Sequence, residues 1–225
     1  MAERHEDGMR DDRSTDARLP LLNEPAPPFR ARTTKGEKSL DDYRGRWLVF
    51  FAHPADFTPV CASEFIAFSK AYDAFQALDC DLLGLSVDSL FSHIAWVSSI
   101  HDRFGVEVPF PIVEDPSMAI ARAYGMLHPG ADSSATVRAS LVIDPNGLIR
   151  AITWYPMNVG RNVEELLRLV SALQLSEREQ VFTPAGWTPG DAVLAPPPLT
   201  APDPKAWSPS GEQPDWYYRL EAANA

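Results

Sequence analysis

In the stretch HPADFTPVCASE, residues 53–64, a turn leads from an apolar run at 47–52 into a segment with helical spacing. Thr58 is a favourable N-cap residue, and Pro59 suits the first helical position because the N–H that proline lacks would be unpaired there. A helix that begins here places Cys61 in its first turn. Unpaired backbone N–H groups and the positive end of the helix dipole favour a thiolate at that position. The stretch therefore predicts a reactive cysteine at the start of a helix.

A second interpretation of Cys61 stays open on the residues alone. Cys61 shares a predicted helix face with Phe65 and Phe68, and a free cysteine often behaves as a small buried hydrophobe. No second cysteine lies three residues away, so Cys-x-x-Cys exchange chemistry is disfavoured. The chain has two cysteines and five scattered histidines without zinc-ligand spacing, so we expect no metal and no cofactor.

Apolar runs of strand length alternate with segments of helical period on both sides of this stretch, which is typical of an α/β fold. Asn146-Gly147 between the last two runs predicts a hairpin, so the sheet should be mixed. The order of elements is compatible with a thioredoxin-like sheet flanked by helices. The predicted strands are 47–52, 81–86, 110–113, 139–143 and 148–154, and the predicted helices follow Thr58, run over about 89–104, and begin at Asn162 with Glu165 closing a capping box.

Each predicted helix has an apolar face that should pack on the sheet. These faces comprise Cys61, Phe65, Phe68, Tyr72 and Phe75 in the first helix, Leu90, Ile94, Val97 and Phe104 in the second, and Val163, Leu166, Leu167, Val170 and Leu173 in the third.

The two ends of the chain differ in composition from the predicted domain at 21–175. Residues 1–20 are polar and charged, and we expect a mobile tail. Nine of the 21 prolines follow Ser176, together with three tryptophans, so residues 176–225 predict a C-terminal arm that wraps over another surface. The arm could pack on its own domain or cross to a second subunit, and we favour the second.

Size and charge exclude several classes of protein. The 225 residues can bury a core, and 31 acidic against 20 basic residues give a net charge of −11, which disfavours nucleic acid and anionic membranes. No apolar run approaches the roughly 20 residues of a membrane helix, and no signal peptide is visible. We expect a soluble, cytoplasmic protein.

Several collinear motifs give the chain a specific resemblance. Pro54-x-x-x-Thr58-x-x-Cys61 is similar to the peroxiredoxin active-site motif, and HPADFTPVC resembles its one-cysteine, peroxiredoxin-six form. The resemblance extends over about 21–218. Its further motifs are GLSVDS at 84–89, HIAW at 93–96, ARAYGM at 121–126, VRA at 137–139, IDPNG at 143–147 and GRN at 160–162.

The resemblance implies a role for each motif residue. Cys61 would be the peroxidatic cysteine, which is oxidised by peroxide to a sulfenic acid. Thr58 would hydrogen-bond the peroxide and the thiolate, and Pro54 would shield the pocket. Arg138 would stabilise the thiolate and the charge that develops as the O–O bond breaks.

Three further residues would support these four. Arg161 matches the second active-site arginine of the family, and Glu64 could orient Arg138 through an ion pair. His53 lies in the matched motif and would line the pocket. Without the resemblance, a solvated charge at Arg161 or Glu64 and a structural histidine at His53 remain open.

Departures from the family pattern bear on how the sulfenic acid is reduced. Microbial relatives often have a cysteine after Trp-Tyr-Tyr, where this chain has Arg219, and Cys80 matches none of the usual resolving positions. Mammalian relatives also have a lipase-like Gly-x-Ser-x-Gly motif before the active-site strand, whereas residues 43–47 of this chain read YRGRW. The resemblance therefore implies an external thiol donor, such as thioredoxin or glutathione, and gives no nucleophile for phospholipase activity.

The expected function is a thiol-dependent peroxidase that reduces hydrogen peroxide and organic hydroperoxides without a cofactor. The alternative is a peroxide sensor or oxidation-switched chaperone that uses the same cysteine. The resemblance implies a homodimer with exchanged arms, and a decamer is also compatible with it.

Overall fold

The computed structural model describes residues 19–127, 133–200 and 215–222. The central strands are β1 (Arg30–Thr33), β2 (Gly36–Ser39), β3 (Trp47–Ala52), β4 (Cys80–Ser86), β5 (Ile112–Glu114), β6 (Arg138–Ile143) and β7 (Ile149–Tyr155). The helices are α1 (Pro59–Ala77), α2 (Leu90–Phe104), α3 (Ala119–Ala123) and α4 (Val163–Glu179), with a 3-10 turn at Leu40–Tyr43. Two short strands, β8 (Val193–Leu194) and β9 (Leu220–Glu221), form a separate pair.

The seven central strands form one mixed sheet in the order β2-β1-β5-β4-β3-β6-β7. β3, β4 and β5 are parallel, whereas β6 pairs antiparallel with both β3 and β7. The predicted mixed sheet and the hairpin at 144–147 are confirmed. The sequence did not predict β1 and β2, because they read RART and GEKS and lack the apolar alternation of a half-buried strand.

The sheet separates two hydrophobic cores. All six residues of β3 are buried, and they supply both sides: Val49 and Phe51 join the core under α1, and Leu48 and Phe50 join the core around Tyr124. This continuous apolar strand is typical of a sheet that is covered on both faces.

The predicted face of α1 is confirmed, with Tyr72 half-buried and the other four side chains buried. The prediction for α2 is wrong at two positions, since Ile94 and Phe104 are half exposed or more. The buried residues of α2 are His93, Trp96 and Ile100. A face that contains a histidine escapes a search for apolar periodicity, so the predicted stripe was displaced around the helix.

At the start of α4, the Asn162 side chain caps the helix by accepting from the N–H groups of Glu164 and Glu165. The Glu165 carboxylate pairs with Arg168 and not with the Asn162 backbone, so the predicted capping box does not form there. α4 continues to Glu179, and the composition change at Ser176 therefore lies inside a helix.

The first part of the predicted arm packs on its own domain. Trp187 is 3% exposed and contacts Ala172 and Leu175 of α4. Farther along, Trp216, Tyr217 and Tyr218 are all exposed. Residues 201–214 and nearly all of the N-terminal tail predicted at 1–20 lie outside the described residues. Within the described residues, no helix is both long enough and apolar enough to cross a membrane.

Candidate active site

Cys61 lies in the first turn of α1 and is fully buried. Thr58 is the N-cap residue and Pro59 opens the helix, as the sequence predicts. The Thr58 side chain does not cap the helix; its hydroxyl donates to the Ala55 carbonyl, 2.9 Å away. The hydroxyl is thereby fixed in the loop before the cysteine, and its oxygen can still accept a hydrogen bond.

Arg138, the first residue of β6, is the cationic neighbour of the thiol. Its Nη1 lies 3.4 Å from Cys61 Sγ and 2.7 Å from Glu64 Oε2. Nε and Nη2 both donate to the Met157 carbonyl, at 2.8 and 2.6 Å. Because the guanidinium is planar, these contacts fix the direction in which Nη1 points at the sulfur.

Glu64 accepts hydrogen bonds from two arginines. Arg161 donates to it from Nε at 2.9 Å and Nη2 at 2.7 Å, in the bidentate geometry of a strong carboxylate pair. Burial alone would raise the pKa of Glu64, but the hydrogen bonds and charge of Arg161, with the charge of Arg138, lower it below its ordinary value. Glu64 is therefore ionised, and its carboxylate forms ion pairs with both Arg138 and Arg161.

The site thus has a buried thiol beside an arginine, at a helix start that reads PxxxTxxC. Residues 22–152 match the AhpC/TSA family, and residues 172–205 match the C-terminal domain of 1-Cys peroxiredoxin. The chain belongs to the AhpC/TSA family. It is a peroxiredoxin, a thiol-dependent peroxidase, and the family resemblance seen in the sequence is confirmed.

Individual relatives support this assignment along most of the chain. A peroxiredoxin of Aquifex aeolicus is 50% identical over 211 residues, which are 88% of this chain and 95% of that protein. The structure of yeast mitochondrial 1-Cys peroxiredoxin is 42% identical, with a TM-score of 0.75 over 80% of this chain and 88% of that one. A mutant of peroxiredoxin 6 from Arenicola marina gives a TM-score of 0.80 at 30% identity, over 91% and 98%. The thioredoxin-like fold is thereby confirmed.

The peroxiredoxin loop between β3 and α1 carries the two remaining predicted residues. Pro54 and His53 are both buried. The ring of His53 stacks on Trp96 with centroids 5.1 Å apart, and its Nε2 lies 2.9 Å from Asp56 Oδ1. The hydrogen bond of His53 is thus directed at a carboxylate within the same loop.

Sequence reasoning missed Asp56 and His93. His93 Nδ1 lies 2.8 Å from Asp56 Oδ2, so the three side chains form a continuous contact. Among the described residues, this is the one group of three side chains of metal-ligating type whose ligand atoms lie within 4.8 Å of one another. Their contacts have ordinary hydrogen-bond lengths, so we describe them as a hydrogen-bonded chain. Asp56 lies in the HPADFTPVC motif and His93 in the HIAW motif, but no rule of sequence spacing links the two residues.

Proposed function

We propose that this peroxiredoxin reduces hydrogen peroxide and small organic hydroperoxides by a one-cysteine cycle at Cys61, with an external thiol as reductant. One observation carries the proposal: the Arg138 guanidinium lies 3.4 Å from the sulfur, in a buried site at a helix start. A fixed cation and the helix dipole stabilise both a thiolate and the negative charge that develops on a leaving oxygen.

In the first step, the Cys61 thiolate attacks one peroxide oxygen and is oxidised to a sulfenic acid. The O–O bond breaks, and the second oxygen leaves as hydroxide or alkoxide, which takes a proton to become water or alcohol. Thr58 holds the peroxide through its hydroxyl, Arg138 stabilises the leaving oxygen, and Pro54 helps to exclude water. Arg161 acts through Glu64, which holds Arg138 in place.

In the second step, an external thiol condenses with the sulfenic acid, giving a mixed disulfide and water. A second thiol then releases Cys61 and a disulfide. The yeast 1-Cys peroxiredoxin is described with a thiol-resolving mechanism via glutathione and thioredoxin systems. A thiol donor of that kind is the partner we propose here.

The position of Cys80 supports an external donor. Cys80 begins β4, beyond the far end of α1, and about 1.5 Å of rise per residue puts Ala77 about 24 Å from Cys61. Cysteines whose Cα atoms are more than about 7 Å apart cannot be bridged without moving the backbone. Burial, with the charge of Asp81, raises the pKa of the Cys80 thiol to about 12, so this thiol is unreactive at neutral pH.

We therefore expect Cys80→Ser to keep peroxide turnover within about twofold of the wild type while losing about 1–2 kcal/mol of stability, because it places a hydroxyl in the core. The measurements are peroxide consumption with dithiothreitol and a urea unfolding curve. A Cys80→Ser enzyme that stalls as the Cys61 sulfenic acid would replace the one-cysteine cycle with a two-cysteine cycle.

Turnover separates the peroxidase from the sensor or chaperone that uses the same cysteine. We expect the wild type to consume many equivalents of hydrogen peroxide with dithiothreitol and to end with the mass of the reduced protein. Consumption of a single equivalent, with the protein left oxidised in the presence of the donor, would favour the sensor.

The exposed aromatic run near the C-terminus supports a homodimer with exchanged arms. Trp216, Tyr217 and Tyr218 leave an apolar surface of the kind that subunit interfaces bury. A chain shortened after residue 200 is expected to shift from dimer to monomer in size-exclusion chromatography with light scattering. An unchanged dimer would place the interface elsewhere, and a decamer of the wild type would show a further contact.

A further inference from the structure

The side chain of Asp56 is 2% exposed and bridges two histidines. Its Oδ1 lies 2.9 Å from His53 Nε2, and its Oδ2 lies 2.8 Å from His93 Nδ1. The far nitrogen of His93, Nε2, lies 3.2 Å from the Val113 carbonyl oxygen. The far nitrogen of His53, Nδ1, has no hydrogen-bond partner among the described residues.

Counting donors and acceptors fixes where the hydrogens are. A carbonyl oxygen only accepts, so His93 Nε2 carries a hydrogen. Burial would raise the pKa of Asp56, but the hydrogen bonds and charges of His53 and His93 lower it well below its ordinary value, so the carboxylate is ionised and also only accepts. Hydrogen bonds of 2.9 and 2.8 Å therefore join Asp56 to the two histidine rings.

His53 is the neutral member of the chain. Burial lowers the pKa of His53, and its Nε2–H donates to Asp56 while Nδ1 keeps an unpaired lone pair. Two further carboxylates face the chain: Asp88, before α2, acts on His53, and Glu114, at the end of β5, acts on His93. Glu114 is itself paired with Arg32.

Asp56 is also tied through its backbone, since its N–H donates to Asp88 Oδ2 at 2.9 Å. Asp88 Oδ2 accepts a second hydrogen bond from Ser86 at the end of β4. The next residue, Phe57, has a φ of 56°, a left-handed conformation that is unfavourable for a residue with a side chain. Contacts of the neighbouring residues must hold Phe57 in this conformation, and the hydrogen bonds of Asp56 do so from the position immediately before it.

We propose that Asp56 is a positioning residue of the peroxidase site, whose carboxylate, held between His53 and His93, anchors the loop that places Thr58 before Cys61. The inference rests on the proposed function, because it assigns Asp56 a role in the reaction of Cys61 with peroxide. Asp56 touches neither the sulfur nor the peroxide. It acts through the loop: Thr58 lies two residues farther on, with its hydroxyl on the Ala55 carbonyl.

Two rates measured on the same protein separate this role from plain stabilisation. One is the single-turnover rate constant of Cys61 oxidation by hydrogen peroxide, and the other is the alkylation of Cys61 by iodoacetamide, which needs no peroxide to be positioned. We expect Asp56→Ala to slow oxidation about tenfold or more, since a small misplacement of a positioning group is costly. We expect alkylation to change by less than about threefold.

Asp56→Asn is the conservative variant that should restore the rate. Its amide oxygen can accept from His53 Nε2–H, and its amide N–H can donate to His93 Nδ1, so both links to the loop remain. We expect oxidation to return to within about threefold of the wild type. Asp144→Ala is the matched control, because Asp144 is also a buried aspartate and accepts hydrogen bonds from the β6–β7 turn; the oxidation rate of this variant should stay within about twofold of the wild type.

The outcomes are distinguishable. The proposal would be overturned if Asp56→Ala were oxidised by peroxide at the wild-type rate. It would also be overturned if Asp56→Ala slowed oxidation and alkylation in equal proportion and Asp56→Asn did not restore the oxidation rate. If wild-type Cys61 is not oxidised by peroxide at all, the proposed function itself fails before any variant is compared.

Discussion

Cys61→Ser is expected to remove peroxidase activity, with a loss on the order of a thousandfold or more, to the rate at which peroxide and donor react unaided. A serine hydroxyl is not ionised at neutral pH and cannot be oxidised to a sulfenic acid. The remaining site should be unchanged, since Arg138 keeps its contacts with Glu64 and the Met157 carbonyl. The measurement is peroxide consumption with dithiothreitol at equal protein concentrations.

Mass spectrometry makes this experiment specific to the sulfur. After one equivalent of peroxide without a donor, the wild type should gain the mass of one oxygen atom on the peptide that contains Cys61, and Cys61→Ser should gain none. Cys80→Ser is the control, and it should gain the oxygen as the wild type does. Residual turnover in Cys61→Ser that disappears when Cys80 is also replaced would place the reactive thiol at Cys80.

The start of α1 was the part of the site most accessible from sequence. Thr58, Pro59 and Cys61 are consecutive features of one helix N-terminus, and local rules of capping and dipole apply to them directly. Arg138 and Arg161 lie 77 and 100 positions beyond Cys61, and no local rule brings them to the sulfur. Only the family resemblance connected them, and the structure places both on Glu64.

The errors in the fold prediction share a physical origin. β1 and β2 are stabilised by pairing with each other and with β5, and their polar side chains carry no signal of it. In α2, His93 faces inward because Asp56 and Val113 satisfy its two nitrogens, so burial follows from tertiary hydrogen bonds and not from hydropathy. The contact between Asp56 and His93 was not predicted either, because the two residues are 37 positions apart in the sequence.

Glu64→Ala is expected to have the largest effect on stability, about 3–5 kcal/mol, because it leaves two buried guanidinium groups without their carboxylate. The side chains of Glu64, Arg138 and Arg161 are each at most 2% exposed, so water cannot replace the lost partner. Arg138 should also lose its orientation toward Cys61, and peroxide oxidation should slow about tenfold or more. If Glu64→Ala does not fold, Glu64→Gln gives the same comparison at lower cost to the core.

The pH dependence of unfolding identifies the charge of Glu64 as the cause. The pKa of Glu64 is lowered in the folded state from an ordinary value of 4.5, so its carboxylate contributes stability that is present above about pH 4.5 and is lost as the pH falls through the folded value. In urea unfolding curves, the wild type should therefore lose stability in this acid range, and Glu64→Gln should lose less because its amide has no proton to gain.

Glu165→Gln is the matched control. The Glu165 carboxylate pairs with Arg168 on the surface, so its removal should cost under about 1 kcal/mol of stability. Parallel pH curves for the wild type and Glu64→Gln would show that the two arginines are held by hydrogen bonds that an amide can replace, and that the charge of Glu64 contributes little.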